Sequence, residues 1–208
     1  MDFLIVSLML SSVALCATGR IRSLVRIAVF QGLILGLLAV SRQFTAQTAA
    51  LALATVAVKA VIFPYILMRA VEKAGAVLEP RPYVGYNPSI AVCMAMLGIS
   101  AWIARKFSPQ APLAAAGAFF TMFAGLFVII SRRTAFSQVI GYLALEGGIY
   151  SFGLSLSGDT PAAVELGLLL DLFAAVFIMG IMVYRISDEF DHADMEKISF
   201  LKDSGDYD

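Results

Sequence analysis

The sequence has little charge and few residues that bind metals. Only 14% of its 208 residues are charged, whereas a soluble domain carries about 25%. It has one histidine, His192, and two cysteines, Cys16 and Cys93, which both lie within apolar stretches. These counts argue against a soluble globular domain and against a Cys/His metal site or a Cys–His catalytic site. No basic patch with interleaved aromatic residues indicates a nucleic-acid partner.

Long apolar stretches dominate the chain instead, and 60% of the residues are hydrophobic. A helix needs about 20 consecutive apolar residues to cross a bilayer. Turn-forming residues such as Gly158, Pro109 and Pro161 separate the stretches. We therefore predict an all-α membrane protein with about seven transmembrane helices, at 3–18, 24–41, 47–69, 88–105, 111–131, 134–157 and 161–186.

The distribution of Lys and Arg predicts the orientation of these spans, because cytoplasmic loops are enriched in positive charge. With seven spans, one side of the membrane holds Arg20, Arg22, Arg26, Arg69, Lys73, Arg81, Arg132, Arg133, Arg185, Lys197 and Lys202, and the other holds Arg42, Arg105 and Lys106. The bias places the N-terminus outside and the C-terminus in the cytoplasm.

Polar residues also recur in a pattern that indicates an internal duplication. Gln31 and Lys59 lie within the second and third spans, and Glu146 and Asp171 lie within the sixth and seventh, at offsets of 115 and 112 residues. Repeated three-helix units are common in transporters. We predict two parallel repeats, at 1–70 and 111–186, with a loop and linking helix at 71–110 and an acidic cytoplasmic tail at 187–208.

Four charged residues lie within the predicted spans: Lys59, Glu146, Glu165 and Asp171. A charge near the bilayer centre costs roughly 2.5–3.5 kcal/mol on insertion scales, so such residues usually line an internal polar path or pair with one another. Burial disfavours the charged forms and a nearby opposite charge favours them. These four residues are our candidate proton or ion pathway.

Three further residues are candidates for supporting roles. Tyr142 and Tyr150 lie four residues on either side of Glu146 and therefore share its helix face, and Gln31 is the neutral counterpart of Glu146 in the first repeat. Glu165 and Asp171 are six residues apart, about 240° around a helix and about 9 Å along it. That spacing favours two successive positions along a pathway over a single site in which the two carboxyl groups pair.

Three segments carry a resemblance to a known family. They are 133–149 (RTAFSQVIGYLALEGGI), 164–180 (VELGLLLDLFAAVFIMG) and 58–64 (VKAVIFP). They resemble the hydrogenase-4 component E family, membrane proteins of group 4 nickel–iron hydrogenases and related complexes. The C-terminal half of this family is similar to the K component of complex I and to the C component of multisubunit Na⁺/H⁺ antiporters. Gly147 stands where the family often has Asn.

The resemblance implies a non-redox subunit of a complex I-like membrane arm that contributes buried charges to proton or sodium translocation. Its expected partners are an antiporter-like large membrane subunit, other membrane-arm subunits, a peripheral redox module and the lipid bilayer. No cofactor or metal is expected on this chain. Glu146 matches one key glutamate of the K component of complex I, and either Glu165 or Asp171 matches the other.

Other interpretations stay open at this point. The buried charges also suit a static polar lock or contacts with charges on a partner protein. The chain also suits a structural spacer that anchors an antiporter-like subunit without conducting ions. A seven-helix photoreceptor is disfavoured, because Lys59 lies in the third span whereas a retinal protein needs a lysine in the last. An autonomous transporter is disfavoured because the chain is small for an independent secondary transporter. The acidic tail suits either a solvated terminus or a docking site for a peripheral arm.

Overall fold

The structure is a computed structural model that describes residues 1–42, 53, 56–73, 85–132 and 134–156. Within these residues the chain is helical and forms no strand. The elements are α1 (Asp2–Ala17), α2 (Ile21–Arg42), a π-helical segment (Ala57–Ile62) that continues directly into α3 (Phe63–Lys73), α4 (Tyr86–Phe107), α5 (Pro112–Ser131) and α6 (Ala135–Leu156). The predicted helical fold class is confirmed for this part of the chain.

The described helices coincide with the first six predicted spans, although much of the third span is not described. Three of them contain stretches long and apolar enough to cross a membrane, at Ile21–Ser41, Pro88–Phe107 and Pro112–Ser131. Helix α1 is a shorter apolar helix. The predicted seventh span, 161–186, and the acidic tail lie outside the described residues, so the count of seven and the repeat stay predictions.

Helix α5 is at the centre of the bundle and packs against α1, α4 and α6. Helix α2 packs across α1 and α6, and the π-helical segment and α3 pack on α2. One apolar cluster joins α1, α2, α5 and α6, and it contains Ile5, Leu8, Ile34, Leu35, Leu38, Ala39, Ala114, Tyr150 and Leu154. This arrangement brings residues from the first and last described helices to one interior.

Helices α5 and α6 approach each other closely at glycine residues. A Cβ atom on Gly125 would collide with the backbone nitrogen of Leu145, and one on Gly148 would lie 2.6 Å from the backbone nitrogen of Met122. Small residues of this kind let membrane helices pack backbone to backbone. The glycines therefore set the position of α6, and with it the position of Glu146.

Large apolar side chains cover much of the outer surface of the bundle. Helix α4 alone exposes Met94 (60%), Ile99 (52%) and Trp102 (61%). So many exposed large apolar side chains are unfavourable in water and are typical of contact with lipid or another membrane protein. Apolar helices and an apolar exterior together indicate that the protein resides in a membrane.

Candidate functional site

Lys59 lies in the π-helical segment, shortly before Pro64 on α3. Proline has no backbone N–H and cannot complete a regular α-helical turn. A π-helical turn is one way in which a helix reorganises its hydrogen bonds, and such turns are frequent at functional sites. The sequence predicts a kink at Pro64, and the structure shows a local change of helix type beside it, with the Lys59 side chain 5% exposed.

Lys59 forms an ion pair with Glu146, which is fully buried at the middle of α6. The Lys59 Nζ atom lies 2.7 Å from Glu146 Oε1, and the two side chains are 5% and 0% exposed. At this distance the contact is a charge-assisted hydrogen bond. An isolated charge inside the bundle would be costly to desolvate. Each partner therefore stabilises the charged form of the other. The pair joins the two halves of the chain, 87 residues apart.

Tyr150 completes one side of this ion pair. Its ring centroid lies 5.9 Å from Lys59 Nζ, within the range of a cation–π contact, and the residue is 2% exposed. It lies one helical turn after Glu146 on the same face of α6, as the spacing predicts. Tyr142, one turn before Glu146, is only half-buried.

Glycines on α2 and α6 make room for the ion pair. A Cβ atom on Gly32 would lie 2.9 Å from the Cβ atom of Lys59, and one on Gly147 would lie 2.8 Å from Cδ1 of Leu35. The absence of a side chain at position 32 therefore allows α2 to contact the π-helical segment. Gly147 fits tightly against α2, so the Asn that often occupies this place in the resembling family would require Leu35 to shift.

A neutral polar network joins α2 to α1 and α5. Gln31 Nε2 donates to Ser12 Oγ at 3.1 Å, and Ser12 Oγ lies 3.2 Å from Thr121 Oγ1, which donates to the carbonyl oxygen of Gly117 at 2.8 Å. Gln31, Ser12 and Thr121 are all buried. The network ties α2 to α1 and α5. The sequence indicated Gln31 but neither hydroxyl residue, although both are polar residues within apolar stretches.

A small pocket separates the ion pair from this network. Its lining consists of Ala28, Gln31, Gly32, Leu35, Lys59 and Leu143. The volume open to the centre of a water molecule is about 10 Å³. That space suits about one water. Gln31 and Lys59 are the polar residues in the lining. The pocket therefore brings Gln31, chosen from the repeat pattern, beside Lys59.

Arg132 is a second buried cation that the sequence placed in a cytoplasmic loop. It caps the end of α5 and is 1% exposed. Its Nη2 atom donates to the carbonyl oxygens of Cys16 and Thr18, both at 2.9 Å. A cation at this place also interacts favourably with the C-terminal dipole of α1. In the sequence Arg132 stands beside Arg133, and such a pair is typical of an exposed loop. Nothing else in the sequence indicates that Arg132 is buried.

Two of the four predicted pathway residues, Glu165 and Asp171, lie outside the described residues. Among those that the structure describes, no group of three or more His, Cys, Asp or Glu side chains is arranged to hold a metal ion. Of the predicted site residues, the structure brings together Lys59, Glu146, Tyr150 and, across the pocket, Gln31. The arrangement supplies a charge pair of one base and one acid in an apolar bundle.

Two groups of known proteins are similar to this chain. Hydrogenase-4 component E from Escherichia coli K12 is 30% identical over 78 residues, which cover 38% of this chain and 36% of that protein. The versions from Escherichia coli O157:H7 and Shigella flexneri match equally. The resemblance to hydrogenase-4 component E is thus supported over part of the chain.

A second similarity covers nearly the whole chain. The "Uncharacterized protein Rv0085" of Mycobacterium tuberculosis H37Rv is 31% identical over 211 aligned positions, which cover 97% of this chain and 96% of that protein. No family model matches the chain, and no solved structure gives a significant match. On the strength of its near full-length similarity, the chain belongs to the same protein family as Rv0085.

Proposed function

We propose that the protein is a non-redox integral membrane subunit of a complex I-like or hydrogenase-type membrane arm, and that its buried charges take part in moving protons or sodium ions. The observation that carries this proposal is the Lys59–Glu146 ion pair, 2.7 Å long and almost inaccessible to solvent. Intramembrane ionisable residues are costly, and they usually line an internal polar path or pair with one another.

The ion pair suits translocation because each partner has a neutral form. A proton that reaches the Glu146 carboxylate neutralises it, and the Lys59 ammonium group then loses the charge that it faces. A charged group that approaches the pair likewise changes whether the charged or the neutral forms of the two side chains are favoured. A buried acid and base in contact thus respond to charge elsewhere in a complex. This property supports a role in ion movement over a purely passive one.

The partial similarity to hydrogenase-4 component E supports the setting of the proposal. That protein's name makes it a component of a hydrogenase, and this chain shares with it 30% identity over 78 residues. From this we propose partners of the same type: an antiporter-like large membrane subunit, other membrane-arm subunits and a peripheral redox module. The driving reaction would then occur on another chain.

The finer architecture belongs to the same proposal. Seven transmembrane helices in two parallel repeats, 1–70 and 111–186, would be joined by the segment 71–110. The N-terminus would lie outside and the acidic tail, 187–208, in the cytoplasm. Glu165 and Asp171 on the seventh helix would extend the path beyond the ion pair, with Glu165 towards the outer side or a neighbouring protein of the complex.

Replacement of Glu146 by Gln tests the proposal. The complex would be isolated from its native host through a tag on this chain, its set of polypeptides determined, and proton or sodium translocation measured in membrane vesicles. We expect Glu146→Gln and Lys59→Met to reduce translocation at least tenfold, since one proton-transfer group contributes about 10²–10⁴-fold, in complexes with the normal set of polypeptides. Arg105→Gln, a charge removed from the exposed surface of α4, is the matched control.

A structural spacer is the alternative function, and the Arg132 contacts favour it. A buried arginine that joins α1 to the end of α5 is a device for rigidity rather than for conduction. If the Glu146→Gln complex assembles and translocates ions at the normal rate, the spacer role is correct and the proposed ion pathway is wrong.

A further inference from the structure

Helix α2 exposes one narrow ridge, which begins with two arginines and continues with apolar side chains. Arg22 and Arg26 are exposed, and Phe30, Leu33 and Leu37 are 50%, 42% and 58% exposed. At about 100° per residue, these five positions lie within about 80° of one another around the helix. The other sides of α2 pack against α1, α6 and the π-helical segment. The five residues, here called the α2 ridge, therefore face the surroundings of the bundle.

Both arginines lie within the part of α2 that is long and apolar enough to cross a membrane, Ile21–Ser41. They occupy its first two turns, and Arg26 is about 7.5 Å along the helix axis from the first residue. A guanidinium group that faces hydrocarbon is costly, so its long side chain extends towards the membrane surface. The anions at that level are the phosphate groups of the lipids.

The two guanidinium groups suit a lipid phosphate. Arginine binds a phosphate group through two parallel hydrogen bonds. Residues one helical turn apart have Cβ atoms about 5–6 Å apart, so Arg22 and Arg26 can reach one headgroup together. The positive end of the α2 dipole lies at the same level and also favours an anion. These charges favour an anionic headgroup over a zwitterionic one, because the ammonium group of the latter repels them.

The apolar part of the α2 ridge suits an acyl chain. The axial distance from Arg26 to Leu37 is about 16.5 Å, close to half of the roughly 30 Å hydrocarbon core of a bilayer. Phe30 and Leu33 lie between them on the same side of the helix. A lipid whose phosphate contacts the arginines would thus have its chain along these three apolar residues.

We propose that the α2 ridge binds one anionic phospholipid, whose phosphate contacts Arg22 and Arg26 and whose acyl chain lies against Phe30, Leu33 and Leu37. The site is separate from the Lys59–Glu146 ion pair, since it lies on the outer surface of α2 whereas the ion pair is buried. This inference goes beyond the proposed function and does not require ion movement.

Native mass spectrometry of the full chain in detergent tests the site. Phosphatidylglycerol and phosphatidylcholine with the same acyl chains are offered in equal amounts, and the bound lipid is identified. Detergent makes the result independent of the direction in which a variant inserts into a membrane. We expect the wild type to retain phosphatidylglycerol preferentially.

Substitution of the arginines measures their contributions. Arg22→Gln and Arg26→Gln should each lower the preference about fivefold, and the double variant about 25-fold, because one basic side chain near an anionic surface contributes a factor of this size. Arg26→Lys keeps the charge without the paired hydrogen bonds and should lose less than Arg26→Gln. Arg105→Gln, which removes an exposed arginine of α4, is the matched control and should leave the preference unchanged.

A phosphatidylglycerol with a photoreactive diazirine in its acyl chain locates the apolar part of the site. We expect this probe to label α2 within residues 30–37 in the wild type. Labelling there should fall in the Arg22→Gln/Arg26→Gln double variant. Labelling of the exposed surface of α4 in the same sample should not change and serves as the internal control.

Three outcomes would overturn the inference. The first is equal retention of the two lipids by the wild type, which is expected if the arginines instead bind acidic side chains of the tail or of a neighbouring protein. The second is an equal loss of preference in Arg105→Gln and Arg26→Gln, which is expected for diffuse attraction to all basic residues. The third is unchanged labelling of α2 in the double variant. None of these outcomes depends on ion translocation by the Glu146→Gln complex, so a failure of the proposed function is separate.

Discussion

Two buried cations, Lys59 and Arg132, are held in opposite ways. Lys59 contacts a carboxylate within the bundle, at the middle of α6. Arg132 lies at the end of α5 and contacts two backbone carbonyl oxygens at the C-terminus of α1. Both side chains are nearly inaccessible. One contact joins two titratable side chains, whereas the other joins a side chain to the backbone.

The difference is the reason why we propose a functional role for one buried cation and a structural role for the other. Arginine keeps its proton under all ordinary conditions, and backbone carbonyls do not ionise. The Arg132 contacts therefore have one state. Lysine and glutamate each have a neutral form as well as a charged one. The Lys59–Glu146 pair is therefore the buried contact on which the proposed ion pathway rests.

Arg132→Met is expected to cause the largest loss of stability. It removes two charge-assisted hydrogen bonds to carbonyl oxygens, each worth about 1.5–3 kcal/mol, so we expect a loss of about 3–6 kcal/mol. Thermal unfolding of the purified chain in detergent measures it. Arg132→Lys should recover part of the stability, and Arg105→Met, on the exposed surface, should change little. Equal unfolding temperatures for Arg132→Met and Arg105→Met would show that Arg132 is not the structural cation.

Gly125→Ala tests whether the α5–α6 contact keeps Arg132 and Glu146 in fixed positions. The new Cβ atom would collide with the backbone of Leu145 and lie 2.6 Å from the carbonyl oxygen of Gly141. We expect a loss of about 1–3 kcal/mol, the usual cost of overpacking. Gly98→Ala is the matched control because no atom lies within 4 Å of its Cβ position. Similar melting of the two variants would contradict the close approach.

A double-mutant cycle on Lys59→Met and Glu146→Gln measures the coupling in the ion pair. Each single variant leaves one ionisable group of the pair buried, whereas the double variant leaves neither. The double variant should therefore be more stable than the sum of the single effects predicts, by about 0.5–3 kcal/mol. The measurement is unfolding of the purified chain. Strictly additive effects would mean that the pair contributes no interaction energy, and its contrast with Arg132 would lose its basis.

Thr121→Val tests the neutral network, where we expect the smallest effect. It removes the hydroxyl group between Ser12 and Gly117 while keeping the shape of the side chain. Hydrogen bonds between membrane helices average about 0.6 kcal/mol, which is the loss that we expect. Thr121→Ser, which keeps the hydroxyl group, is the control. A loss as large as that of Arg132→Met would place the neutral network among the main structural contacts.

Much of the helical organisation could be predicted from the sequence, because apolar stretches of about 20 residues have few alternatives to membrane helices. Lys59 and Glu146 could be chosen as candidate residues because charge within an apolar stretch is rare and costly. The roles of Ser12 and Thr121 could not be predicted. A hydroxyl group in a membrane helix can bond to its own backbone, as Ser11 does, so its presence does not indicate a network.

Composition and spacing alone establish a helical membrane protein with charges in its apolar helices, because neither conclusion depends on how the helices pack. Three other features come from helix packing: Lys59 contacts Glu146, Gln31 lies across a pocket from Lys59, and Arg132 is buried against α1. These facts depend on the rotation and separation of helices, which the glycine contacts at positions 32, 125 and 148 set through packing between distant segments.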